Sequence, residues 1–127
     1  MVEERFSKKN RICLKDEIDL LFQDGKKIHV FPLLSHVLIQ KSDAPNFSVL
    51  ISVPKKRIKK AHDRNRIKRL IREAIRKNKH PLIKKTSEEG CRVQFSIVYL
   101  WDEIAEYANL ELQIQQLITK ICAQKPV

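Results

Sequence analysis

The sequence predicts an α+β domain of three helices and about four strands, and three observations point to that class. Apolar residues recur at helical spacing in three stretches, near residues 14–25, 61–79 and 104–121. Between them the spacing changes to two-residue alternation, clearest over 47–53 and 93–99. The chain has 127 residues and 43% hydrophobic content, enough for one modest core and too little for two. The expected order is α-β-β-α-β-α in a single domain over 1–127, with flexible ends at about 1–9 and 123–127.

The first helix, over 14–25, sets Ile18, Leu21 and Phe22 on one face, carries acids in its opening turn and can be capped by Gly25. A strand-like stretch over 29–41 is interrupted by Pro32, which can split it in two, and Val37 and Ile39 share one side of its pleat. The turn DAPN at 43–46 leads into a strand in which Phe47, Val49, Ile51 and Val53 alternate with Ser48 and Ser52, so one face should be buried. A basic helix begins near Ala61 and stops near Lys79, before His80-Pro81, and a loop runs on to Glu89-Gly90. Val93, Phe95, Ile97 and Tyr99 then alternate with Gln94 and Ser96. Asp102 and Glu103 suit a helix start, and the face that follows takes Ile104, Tyr107, Ala108, Leu110, Ile114, Leu117, Ile118 and Ile121.

The formal net charge is +11, and its location is more telling than its size. Residues 55–79 hold thirteen basic and two acidic side chains, while the rest of the chain balances at thirteen of each. Such a concentrated excess points to a polyanion: nucleic acid first, an anionic membrane second, an acidic protein third. On a wheel of about 100° per residue, Ile67, Leu70, Ile71, Ala74, Ile75 and Asn78 fall on one arc. Asn65, Lys68, Arg69, Arg72, Arg76 and Lys79 fall opposite, with Arg66 and Lys77 on the flank. The apolar arc can hold the helix against a sheet so that the cations arrive as an ordered array. Like charges at i,i+4, such as Lys68/Arg72 and Arg72/Arg76, cost a few tenths of a kcal/mol per pair, roughly, which a phosphate backbone would relieve. The abundance of arginine favours bidentate phosphate contact.

Other chemistries find no support. His29, His36, His62 and His80 are scattered, no carboxylate pair stands out, and two glycines cannot build a phosphate loop. His62 reads as a packed or solvent-facing imidazole rather than a base. Neither catalytic nor metal-binding residues are expected in the protein. Cys13, Cys91 and Cys122 lack zinc-ligand or disulfide-framework spacing, which fits thiols in a reducing compartment. With no apolar N-terminal segment and no apolar run of spanning length, a cytoplasmic protein without a membrane partner is expected.

The segment RNRIKRLIRE at 64–73, preceded by SVPKKRIKKAHD at 52–63, resembles the signature of the bacterial ribonuclease P protein subunit. FSKKNRI at 6–12 and LFQDGKK at 21–27 fit the same family. The resemblance implies a two-layer α/β sandwich with a mixed sheet and a left-handed βαβ crossover, against the general right-handed preference. It implies binding to a catalytic RNA that removes the 5′ leader of precursor tRNA, with Mg²⁺ acting through that RNA and no obligate protein partner. The catalytic RNA would meet Lys55, Lys56, Arg64, Asn65, Arg66, Lys68, Arg69, Arg72 and Arg76. A cleft between the first helix and the sheet would hold the single-stranded leader, using Ile18, Phe22 and His36 with Lys8, Lys9 and Arg11. Many members carry an aromatic where this chain has Ile18 and a tyrosine where it has His36, so leader bases should find weaker stacking here. The rival reading is a ribosomal or RNA-chaperone-like protein of the same architecture, which needs no second RNA face. A self-contained nuclease would need a metal-binding carboxylate cluster, and none is evident.

Overall fold

The computed structural model describes residues 15–125. The expected N-terminal loose end, Lys8, Lys9, Arg11 and Cys13 lie outside these residues. The elements are α1 (Lys15–Asp24), β1 (Lys26–Val30), β2 (Leu33–Lys41), β3 (Asn46–Ser52), α2 (Ala61–Asn78), α3 (His80–Glu89), β4 (Cys91–Tyr99) and α4 (Tyr107–Cys122).

Four helices replace the expected three, because the segment taken for a loop after Lys79 is α3. His80-Pro81 reads as a stop signal, yet Pro81 occupies the first turn of a new helix, where its missing N–H costs nothing. Only Leu82, Lys85 and Thr86 of α3 are buried, too few apolar positions to register as a helical stripe. Gly90 ends α3 in the left-handed conformation at φ 58°, and its N–H donates to the Thr86 carbonyl.

The strands form one mixed sheet in the order β1-β2-β4-β3. β1 and β2 are the two halves of the stretch split at Pro32, paired antiparallel across a short turn. β2 pairs antiparallel with β4, and β3 runs parallel to β4. A parallel neighbour requires a crossover, which α2 and α3 supply.

One face of the sheet carries Leu33, Val37, Ile39, Phe47, Val49, Val93, Phe95, Ile97 and Tyr99, and these join buried residues of α2, α3 and α4 in the main core. The other face carries Ser48, Gln94 and Ser96, and of their two strands only the one over 47–53 was expected to have a single buried face. All three are buried, at 2, 5 and 0% exposure, on the face where α1 packs Leu21 and Ile18 onto Leu38 and Leu50.

Two boundaries also shift. α4 begins at Tyr107, not at Asp102 or Glu103, and Ile104 is 39% exposed rather than on the apolar face. Tyr99 explains the delay: its hydroxyl donates to the Glu103 carbonyl at 2.6 Å and accepts from the Ala105 N–H at 3.1 Å, holding the loop open. Near the other end, the Gln124 carbonyl accepts from Lys85 Nζ at 2.6 Å. Among the described residues, no helix is long and apolar enough to cross a membrane.

Candidate nucleic-acid interface

Ile67, Ile71, Ala74 and Ile75 bury one side of α2, as the wheel requires. Asn78 secures its C-terminal end, donating to Glu111 Oε2 at 3.1 Å and accepting from Gln115 Nε2 at 3.0 Å, both on α4. Burying an isoleucine stabilises by about 1.5–3 kcal/mol, so three of them outweigh several like-charge repulsions of a few tenths each.

The loop leading into α2 is shaped for the same surface. Arg57 and Ile58 both donate backbone N–H bonds to Pro54, at 3.0 and 3.1 Å, and Ile58 is buried in the core. Arg64 reaches back from the first turn, and its Nη1 donates to the carbonyls of Ile58 at 3.0 Å and Lys59 at 2.7 Å. Arg64 therefore positions the loop that carries Lys55, Lys56, Lys59 and Lys60, all exposed.

Of the remaining expected contacts on α2, Asn65, Arg66 and Arg69 are exposed, while Lys68, Arg72 and Arg76 are half-buried. Arg76 forks onto Glu73, with Nε to Oε2 at 3.0 Å and Nη2 to Oε1 at 2.6 Å. That hydrogen bonding holds the Glu73 carboxyl below its ordinary range. Lys79 departs from the wheel: it is 6% exposed, because α2 stops at Asn78 and the chain turns inward there to begin α3.

A second candidate surface lies where α1 crosses the opposite face of the sheet. Phe22, 39% exposed, meets the His36 ring edge-on at a centroid distance of 4.7 Å. Ile18 stands one turn away, half-buried against Leu21, Leu38 and Leu50. An ion pair from Arg92 on β4 to Glu17 on α1, 3.2 Å, ties the helix to the sheet. His36 donates its backbone N–H to Ser96 Oγ at 2.9 Å, and the same hydroxyl lies 3.4 Å from the ring Nδ1. Burial first, and the Lys27 charge second, push the His36 imidazole below its ordinary pKa, so the ring is neutral at neutral pH.

Sequence reasoning brought Ile18, Phe22 and His36 to this place but missed Leu50, Arg92, Gln94 and Ser96. The signal was present: Ser48, Ser52, Gln94 and Ser96 are all uncharged, unusual for strand positions facing water in a chain so rich in charge. Among the described residues no three His, Cys, Asp or Glu side chains converge as a metal site would need.

The family model for ribonuclease P matches residues 6–122. The chain belongs to the ribonuclease P protein family. A ribonuclease P protein component of Porphyromonas gingivalis is 36% identical over 121 residues, covering 94% of this chain and 88% of that protein. The Staphylococcus aureus RNase P protein superposes with a TM-score of 0.68 at 18% identity, covering 90% of this chain and 95% of that one. The Thermotoga maritima RNase P protein gives a TM-score of 0.68 at 23% identity, with coverages of 87 and 96%. At those identities the two structures establish the shared α+β fold. The ribonuclease P family is therefore the frame for both surfaces.

The depressed His36 pKa has a consequence for stability. Below the ordinary histidine range the unfolded chain binds a proton that the folded chain resists, so stability falls as pH drops from about 6.5. Thermal melts should show a lower Tm at pH 5.5 than at pH 7.5, and the difference should shrink in His36→Gln.

Proposed function

We propose that this chain is the protein subunit of a bacterial ribonuclease P. It binds the catalytic RNA through α2 and the 55–60 loop, and the 5′ leader of precursor tRNA through the cleft between α1 and the sheet. The observation that carries the reading is the construction of α2: a buried isoleucine stripe on one side, with Arg66 and Arg69 exposed on the other beside an exposed lysine loop. Such an array meets phosphates without first having to be ordered, and pre-ordering lowers the entropic cost of association.

The second surface favours this reading over an RNA-chaperone role, since it offers a separate place for a single strand. Phe22 supplies an exposed stacking face, and His36, buried at 8% exposure, supports that ring edge-on from the sheet. Ile18 supplies only apolar contact, so the cleft relies more on shape and less on stacking than one lined by three aromatic rings. Lys8, Lys9 and Arg11 would add phosphate contacts for the leader.

The described residues contain no carboxylate cluster fit to hold a catalytic ion. In this reading Mg²⁺ acts through the RNA, and the protein's residues bind and orient that RNA and the leader.

Reconstitution tests the reading. Mixed with a bacterial ribonuclease P RNA at low Mg²⁺, the chain should accelerate removal of the leader, while protein alone should leave precursor tRNA intact. Cleavage by protein without RNA, or no effect on the RNA at any Mg²⁺ concentration, would reject it. The array itself is tested by salt. Replacing Arg69 and Arg72 with alanine should weaken affinity for that RNA and flatten the dependence of log K on log salt by roughly 0.7–0.9 per lost phosphate contact. An unchanged slope would remove those two residues from the interface.

A further inference from the structure

The turn between β1 and β2, the loop after β4 and the first turns of α4 enclose a groove of about 420 Å³ that neither surface described above uses. Three of the exposed large apolar residues gather there: Phe31 at 58%, Leu112 at 57% and Ile104 at 39%. Phe31 meets Trp101 edge-on with centroids 6.1 Å apart. The wall adds an exposed acceptor, the Glu106 carboxylate, beside the Gln113 side chain.

We propose that this groove is a further RNA site, taking one unpaired base of the same RNA that lies along α2. The inference rests on that reading of α2. Stacking faces beside an acceptor suit a nucleobase, which brings a flat ring and N–H donors on its edge. Continuity supplies the rest of the argument. Ile104 also lines the neighbouring hollow formed by the cationic loop, together with Lys56, Lys59 and Lys60. Within that hollow Arg57 pairs with Asp102 at 3.5 Å, next in sequence to Trp101 of the groove. A strand leaving the start of α2 thus crosses exposed lysines before it reaches the aromatic pair. Glu103 and Glu106 repel phosphate, which turns the backbone toward the lysines and the base edge toward the carboxylate. A second copy of this chain, itself strongly basic, would gain nothing from that lysine approach.

Trp101 is the only tryptophan in the chain, so its emission reports this groove without a label. The full chain is titrated with Porphyromonas gingivalis ribonuclease P RNA, with filter retention measured in parallel. At saturation the emission should be quenched. Phe31→Ala, a change at an exposed position, should reduce the quench and weaken binding by at least about fivefold. The Arg69→Ala, Arg72→Ala double variant should need more RNA yet reach the full quench, which separates this site from α2. Retained RNA with unchanged emission, or Phe31→Ala binding as tightly as the parent, overturns the site and leaves α2 standing. Emission that changes with protein concentration alone assigns the groove to a second copy and overturns it too. Failure of the RNA to bind at all overturns both readings.

Discussion

Everything on the cationic side of this protein depends on the burial of Ile67, Ile71 and Ile75. These three side chains, at 1, 0 and 0% exposure, hold α2 against the core while its outer side carries charges of one sign. Alone, a helix of this composition would be weakened by its own repulsion and would have to order itself on its partner. The hydrogen bonds of Asn78 to Glu111 and Gln115 add a directional latch to a non-directional force, tying α2 to α4 in one rotation. Arg64 extends the order backward into the loop by holding the carbonyls of Ile58 and Lys59. An element that looks built for a partner is therefore ordered by contacts with its own chain.

The sheet separates the two proposed recognition surfaces. On the α2 side, the proposed contacts are cationic and sequence-tolerant, as suits the backbone of a folded RNA. On the α1 side they are aromatic, apolar and uncharged polar, as suits bases of a single strand. Both sides rest on β4, whose Phe95 and Ile97 face the main core while Gln94 and Ser96 face α1. β4 also pairs with both β2 and β3, so a change in its register would displace the two surfaces together. Their mutual placement is thus set by one strand.

The parts of the fold that were legible in the sequence were those with a clean period. The isoleucine stripe of α2, the alternation of β3 and β4 and the apolar face of α4 from Leu110 to Ile121 all read directly. α3 did not, because a proline in its first turn resembles a stop, and because its buried Lys85 is polar and satisfied by Glu89 and Gln124. Ile104 misled by falling in phase with α4 while belonging to a loop held by the Tyr99 hydroxyl, a tertiary contact with no local trace. The wheel made the exposure of Asn65 and Arg69 legible, but not that Arg64 reaches back to the Ile58 and Lys59 carbonyls, that Arg76 forks onto Glu73, or that a helix end turns Lys79 inward. The cleft was named from family resemblance, and its floor of Gln94 and Ser96 was hidden because a small polar residue facing a helix looks, in sequence, like one facing water.

The claim most in need of direct measurement is that α2 is ordered before any RNA arrives. Amide hydrogen exchange of the free chain, followed by the same measurement in complex with ribonuclease P RNA, addresses it residue by residue. The account predicts that amides from Ile67 to Ile75 exchange as slowly as those of β4 in the free chain, with little further slowing on binding. Rapid exchange along α2 in the free chain, with protection gained only in the complex, would contradict it and make the array a product of the RNA.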